Sequence, residues 1–180
     1  MRRGGKAFFL LSSRLIMAEP RRLRFYGYVE RPYEQVRRLL QTEPLALLAR
    51  ATTSAAKRAQ ELVASLRFGA GGVEISVDVR TTVRQIREEE PIAGLSPVTR
   101  VELGWEAVRA PALFPLMRAD LSAWPTLSTE TQLEIEGEYQ PPFRGLGNTL
   151  DAVLLHRVAQ ASVHRFLEDV IAQIQRELPA

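Results

Sequence analysis

Three stretches in the second half of the chain alternate strictly between apolar and polar residues. In VTRVELGWEAV (98–108), Val101, Leu103, Trp105 and Ala107 share one side, opposite Arg100, Glu102 and Glu106. In PLMRADLSAW (115–124), Met117, Ala119, Leu121 and Ala123 oppose Arg118, Asp120 and Ser122. In TQLEIEGEY (131–139), Leu133, Ile135 and Tyr139 oppose Gln132, Glu134, Glu136 and Glu138. A period of two belongs to a strand, whose successive side chains point to opposite faces. One apolar and one polar face is the pattern of an antiparallel sheet covered on a single side. RLRFYGYVE (22–30), rich in aromatic and branched residues, predicts a first strand. VEISVDV (73–79) and the following TTVRQIREEE predict another, with Val73, Ile75, Val77 and Val79 on one face. Its acidic end, Glu88, Glu89 and Glu90, reads as a solvated turn rim before Pro91, because three adjacent carboxylates on extended backbone cannot converge on a metal. SLRF (65–68) reads as a helix end or a short strand, so the sheet has about six strands.

Helical spacing fills two further regions. Pro32 stands where a first helical residue does not need its N–H, and YEQVRRLL continues as a short helix. Thr42 is placed to cap a second helix, with Glu43 and Pro44 in its first turn. Leu45, Leu48, Thr52, Ala55, Ala59, Leu62 and Leu66 then recur at steps of three and four, one face of a helix that ends at FGAGG (68–72). The last region is one long helix. Asn148 is placed to cap it, Asp151 suits its positive end, and Leu150, Leu154, Val158, Ala161, Phe166, Val170 and Ile174 form an apolar stripe. There is no βαβ alternation and no internal repeat. The expected class is α+β, a curved antiparallel sheet gripping a long C-terminal helix, with helices between the first strand and the others.

Composition narrows the chemistry more than it identifies it. A chain of 180 residues, 46% hydrophobic and 25% charged, suits one soluble domain, expected over residues 21–178. With no cysteine, disulfides, thiol catalysis and thiolate metal sites are excluded, which fits a reducing cytoplasm. The charge is uneven. Residues 1–24 hold seven basic residues against Glu19, a net of +6, so the rest of the +3 chain is net −3. A broad basic face for nucleic acid is therefore not expected. MRRGGKAFFLLSSRLIMAEP imitates a signal peptide, but Arg14 interrupts its apolar run and no small-x-small cleavage site follows. Residues 1–20 are read as an arm, flexible or an extension upstream of a start at Met17, with a weak membrane-surface anchor as the alternative. No transmembrane segment is expected elsewhere.

Candidate catalytic groups are few. There is no G-x-S-x-G and no S-x-x-K, so no catalytic residue is assigned. His156 and His164, eight residues apart on a helix, stand about 80° around and about 12 Å along the axis from each other. They share no metal, and neither a metal nor a cofactor is expected. The glycines of FRGLGN, Gly145 and Gly147, lack the third glycine or the lysine of a phosphate loop. They read as the joint between the last strand and the last helix.

The segments WEAV, LFPLMRADL, LEIEGEYQPPFRGLGNTLD and LLHRVAQASVHRFL, in this order of elements, resemble a bacterial, largely uncharacterised branch of the START-like, or SRPBCC, superfamily with its helix-grip fold. The resemblance covers roughly residues 21–178. The helix over 43–66 is longer than the paired short helices of the plant-allergen members, which bears on the cavity mouth. The resemblance implies a hydrophobic small molecule or lipid held between sheet and C-terminal helix, and it carries no catalytic residue across. Leu103, Trp105, Met117, Leu121, Leu133, Ile135, Tyr139, Leu154 and Val158 are the candidate lining residues, and core packing explains the same pattern equally well. Two alternatives stand beside binding. One is a polyketide cyclase- or dehydratase-like enzyme using Tyr139 or His156, and the other is a protein-interaction module or homodimer without a ligand.

Overall fold

The computed structural model describes residues 21–53, 79–89, 96–107, 117–139 and 152–179, excepting the side chains of 79, 106, 107, 152–155 and 158. Strand β1 (Arg21–Val29) is followed by helix α1 (Tyr33–Thr42) and helix α2, described over 44–53. Strands β2 (Val79–Glu89), β3 (Val98–Ala107), β4 (Met117–Leu127) and β5 (Glu130–Tyr139) precede helix α3 (Ala152–Glu177). All the strand pairings are antiparallel, and the sheet order is β1-β5-β4-β3-β2. The architecture is the expected α+β arrangement, with five strands among the described residues. The sixth candidate at 65–68 lies outside them, as do residues 1–20, the strand start at 73–78, the helix face beyond 53, Glu90, and the joint with Gly145, Gly147, Asn148, Leu150 and Asp151.

The alternation seen in the sequence becomes an inner and an outer face. Val101, Leu103, Leu121, Ala123, Leu133 and Ile135 are all fully buried on the inner side. Register aligns them in transverse rows: Leu103, Ala119, Gly137 and Leu23 in one, Val101, Leu121, Ile135 and Phe25 in the next, Thr99, Ala123, Leu133 and Gly27 in a third. The outer face is a mesh of exposed ion pairs such as Arg22–Glu138 at 3.0 Å and Arg24–Glu134 at 2.9 Å. Arg22 and Arg24, the last two of the seven basic residues in 1–24, are thus part of the sheet surface.

Strand β2 departs from simple alternation. Val83 faces Leu103 while Gln85 faces Glu102, so Arg84 is an extra residue in a bulge. One inserted residue exchanges the faces. Before it the inward positions are odd-numbered, after it they are even-numbered, and Glu88 falls in the inner row beside Thr99. Glu88 and Glu89 are therefore strand residues, not the turn rim expected. The Glu88 carboxylate accepts from Arg37 at 3.0 Å and Gln41 at 2.7 Å, and the Thr99 hydroxyl lies 3.2 Å away. It ties α1 to the sheet.

The helix starts differ in detail from the sequence reading. Pro32 is the N-cap position, its ψ of 140° still extended, and α1 begins at Tyr33. Thr42 does not cap α2. It ends α1, and its hydroxyl donates to the Arg38 carbonyl at 2.9 Å. Glu43 alone separates the helices, its carbonyl accepting the Leu47 N–H at 3.2 Å. The buried face of α2 is Leu47, Leu48, Ala51 and Thr52, and the expected Leu45 is 58% exposed. The helix is rotated so that the pair 47 and 48, not 45 and 48, faces the core.

Helix α3 buries Ala159, Val163, Phe166, Leu167, Val170 and Ile174, whereas Ala161 is only half-buried. It packs on β1 closely enough that a Cβ on Gly27 would stand 2.6 Å from Ile171 Cδ1. Its C-terminal carbonyls, which have no partner within the helix, are capped from outside. Arg31 donates through Nε to the Leu178 carbonyl at 2.8 Å and through Nη2 to the Gln175 carbonyl at 3.3 Å. A cation there also suits the negative end of the helix dipole. Arg50 on α2 pairs with Glu177.

Gly137 is the inner-face glycine hemmed in by backbone as well as side chains. A Cβ there would lie 2.7 Å from Ala119 Cβ, 2.7 Å from the Arg118 carbonyl oxygen and 3.0 Å from Met117 Cε. Backbone cannot swing aside as a side chain can. Gly137→Ala is expected to lower stability by about 1–3 kcal/mol, the usual cost of overpacking. Denaturant unfolding measures this, and an unchanged midpoint would contradict it.

Candidate functional site

One end of the inner face differs in chemistry from the rest. Thr81, Trp105, Met117, Tyr139 and Arg21 stand opposite one another in succession across β2, β3, β4, β5 and β1. Directly opposed residues of antiparallel strands project to the same face, so these five form one row. Apart from Met117, each carries a polar group. The other rows are largely apolar.

Trp105 and Tyr139 lie two strands apart, about 10 Å at ordinary strand spacing. The Trp105 ring meets Phe166 of α3 edge to face, with centroids 4.4 Å apart and planes at 77°. Its Nε1 is buried and has no hydrogen-bond partner among the described residues. A buried indole N–H ordinarily finds an acceptor. Leaving it unmatched costs about 1–3 kcal/mol. At the far end of the row, the Thr81 hydroxyl contacts that of Thr52, whose own backbone bond to the Leu48 carbonyl is 2.7 Å.

Tyr139 is 1% exposed, and its Oη lies 2.6 Å from Nδ1 of His156, with the rings stacked at 5.9 Å and 17°. Arg21 stands opposite Tyr139 in the strand register, and its positive charge acts on this phenol. The contact with His156 assigns the protons. The phenol has one hydrogen, and its only hydrogen-bond partner among the described residues is Nδ1 of His156, so that hydrogen goes to His156. Nδ1 then accepts, and the neutral imidazole carries its proton on Nε2. In the opposite arrangement the phenol would accept from Nδ1–H and leave its buried O–H without a partner among the described residues, at about 1–3 kcal/mol. The tautomer with Nε2–H wins. Burial raises the Tyr139 pKa above the ordinary tyrosine value, and Arg21 opposes that rise. Tyr33 is raised in the same direction by its burial, against a 2.8 Å hydrogen bond with Thr99.

Leu103, Leu121, Leu133 and Ile135 are fully buried on the inner face, with Met117 at 4%. Trp105 is partly buried against the same cluster. Leu154 and Val158 lie outside the described side chains. Two contributors were absent from the expected lining: Phe166, legible as part of the α3 stripe, and Arg21, which only strand register reveals. His156, named in the sequence only for an enzymatic reading, is brought to Tyr139. His164 is not; it is exposed, 3.7 Å from Glu168, with its ring against Phe25 at 5.5 Å. Among the described residues no three His, Asp or Glu side chains are grouped to hold a metal ion. No described helix is long and apolar enough to cross a membrane.

The outer face carries a groove of about 450 Å³ lined by Arg22, Arg87, Glu102, Arg118, Asp120 and Glu138 among others. Its charges are matched in part, with Arg22–Glu138 at 3.0 Å and Arg87–Glu102 at 3.7 Å. Exposed pairs of this kind are a solvated surface worth little energetically. The inner row is the better candidate, since it combines burial with an unmatched donor.

No protein-family model matches the chain, and no curated protein does. Solved structures do. A protein of Thermus thermophilus aligns at 12% identity and a TM-score of 0.48 over 88% of this chain and 100% of its own. The Zhui aromatase/cyclase of a Streptomyces species aligns at 12% identity and 0.47 over 90% and 98%. Norcoclaurine synthase of Thalictrum flavum, in complex with dopamine and hydroxybenzaldehyde, aligns at 10% identity and 0.42 over 100% and 98%. The fold is helix-grip. At these identities the likeness is one of fold alone, and no residue role passes from those proteins to this helix-grip chain.

The raised tyrosines make stability depend on alkaline pH. Above the ordinary tyrosine value of 10.0 the unfolded chain loses protons that the native Tyr139 and Tyr33 retain. Fewer protons on the unfolded state means that stability falls as pH rises through this window and is intact below it. Denaturant midpoints taken across the window are expected to decline, and Tyr139→Phe to make the decline shallower. An identical slope in the variant would show that Tyr139 does not contribute.

Proposed function

We propose that this chain binds a hydrophobic small molecule or lipid between the inner face of the sheet and α3. The observation that carries the reading is the buried Nε1–H of Trp105, unmatched among the described residues, on an otherwise apolar surface. A molecule that brings an acceptor oxygen there restores a hydrogen bond that folding left unmade, while its apolar remainder replaces water-free contacts of the same kind as the core. The row from Trp105 to Tyr139 supplies aromatic and thioether surface that suits an irregular apolar guest.

A second reading is polyketide cyclase- or dehydratase-like activity, favoured by the 2.6 Å contact of Tyr139 with His156. Such a pair has the geometry to pass a proton. The acyl or polyketide substrate of that reading is itself a hydrophobic guest, so binding is the claim common to both.

The chain holds two tryptophans, Trp105 and Trp124, so Trp124→Phe leaves Trp105 as the only reporter. Titration with an apolar probe such as methyl dodecanoate is expected to shift Trp105 emission, and solvent extraction of freshly purified protein to yield a bound lipid-like molecule by mass spectrometry. Trp105→Phe, which keeps an aromatic ring and removes the donor, should weaken binding by about tenfold, the equivalent of one hydrogen bond of about 1.4 kcal/mol. No extracted molecule together with no emission change would sink the proposal.

A further inference from the structure

We propose that His156 is the polar anchor of this site, donating from Nε2–H to a carboxylate on an otherwise apolar ligand; this rests on the binding reading above. Three observations meet at that residue. The contact with Tyr139 at 2.6 Å uses Nδ1 and leaves Nε2 as the only remaining hydrogen-bonding atom of the ring. None of the described residues takes that proton, and Tyr139 is the one hydrogen-bond partner of His156 among them. Finally, Tyr139 is 1% exposed while His156 is half-buried, so the pair spans the margin between the core and solvent.

Position then selects the ligand. A head group at the margin and a tail running inward along the row, from Tyr139 past Met117 to Trp105, is the placement of an amphipathic acid. Charge selects among head groups. Arg21 stands directly opposite Tyr139 in the pairing of β1 with β5, and its positive charge favours an anion nearby. Hydrogen bonds to an ionised acceptor are about twice as strong as those to a neutral one, so a carboxylate gains more from Nε2–H than an ester or alcohol does. Tyr139 is a positioning residue in this scheme. It holds the imidazole in one tautomer and does not itself meet the head group.

The test compares dodecanoate with methyl dodecanoate by calorimetry on the full chain. The two share a tail and differ in the head group, and dodecanoate is expected to bind about tenfold tighter or better. In His156→Leu the ratio should collapse toward one, and in His156→Gln, which restores an N–H donor, it should recover in part. Nitrogen NMR of labelled histidine should show the Nε2–H tautomer for His156 in the native protein and a mixture in Tyr139→Phe. The tautomer reading does not depend on the His156 variants folding. Equal affinity for acid and ester, a preference that survives in folded His156→Leu, or a His156 proton on Nδ1 each overturns the anchor while leaving the binding reading intact. Binding of neither molecule overturns the binding reading, and the anchor falls with it.

Discussion

A sheet that is apolar on one face only is stable once something covers that face, and here α3 does most of the covering. The rest of the molecule is arranged to hold α3 down. Gly27 removes the side chain that would keep Ile171 away from β1. Phe166 meets Trp105, reaching from α3 toward the middle of the sheet. Arg31, in the turn between β1 and α1, ties the last helical carbonyls to the start of the fold. Glu88 performs the matching task for α1, joining Arg37 and Gln41 to the row that contains Thr99. The helices are thus fastened at their ends by polar bonds and along their lengths by apolar contact.

The same covering requirement gives the candidate site its character. Most inner rows are matched apolar surfaces in which Leu, Ile, Val and Ala fill the gap between sheet and helices. The row from Thr81 to Arg21 breaks that rule by carrying polar groups into the covered region. Two of those groups are satisfied from other elements, Thr81 by Thr52 and Tyr139 by His156. Trp105 finds no such partner among the described residues, and an unsatisfied donor among satisfied ones is more informative than a row of leucines.

Much of the fold was legible because alternation is a direct imprint of pleating. Every inward position assigned to β3, β4 and β5 whose side chain is described lies in or against the core. Register was not legible. Which residue of β4 faces Trp105 depends on loop lengths and pairing, so the row, and the meeting of Arg21 with Tyr139, could not be read from one strand at a time. The bulge at Arg84 was hidden for a related reason: a single inserted residue makes a real strand look irregular, so exposed Glu88 reads as part of a turn when it is part of a strand. Leu45 misled because steps of three and four fit several neighbouring helix faces, and only packing chooses 47 and 48 over 45. The tautomer of His156 needed the meeting of two side chains from β5 and α3, information that no local pattern contains.

The strand order β1-β5-β4-β3-β2 also has a consequence in time. The first strand pairs only with the last, Arg21 with Tyr139, and Arg31 caps a carbonyl 147 residues further along the chain. Hairpins β2–β3, β3–β4 and β4–β5 close locally, but β1 has no strand partner until β5 has been made, about a hundred residues later. Folds dominated by such distant pairings assemble slowly, and their unpaired edges are exposed meanwhile. During synthesis the segment RLRFYGYV leaves the ribosome well before β5, aromatic and unmatched, and it must be kept from other strands until β5 arrives.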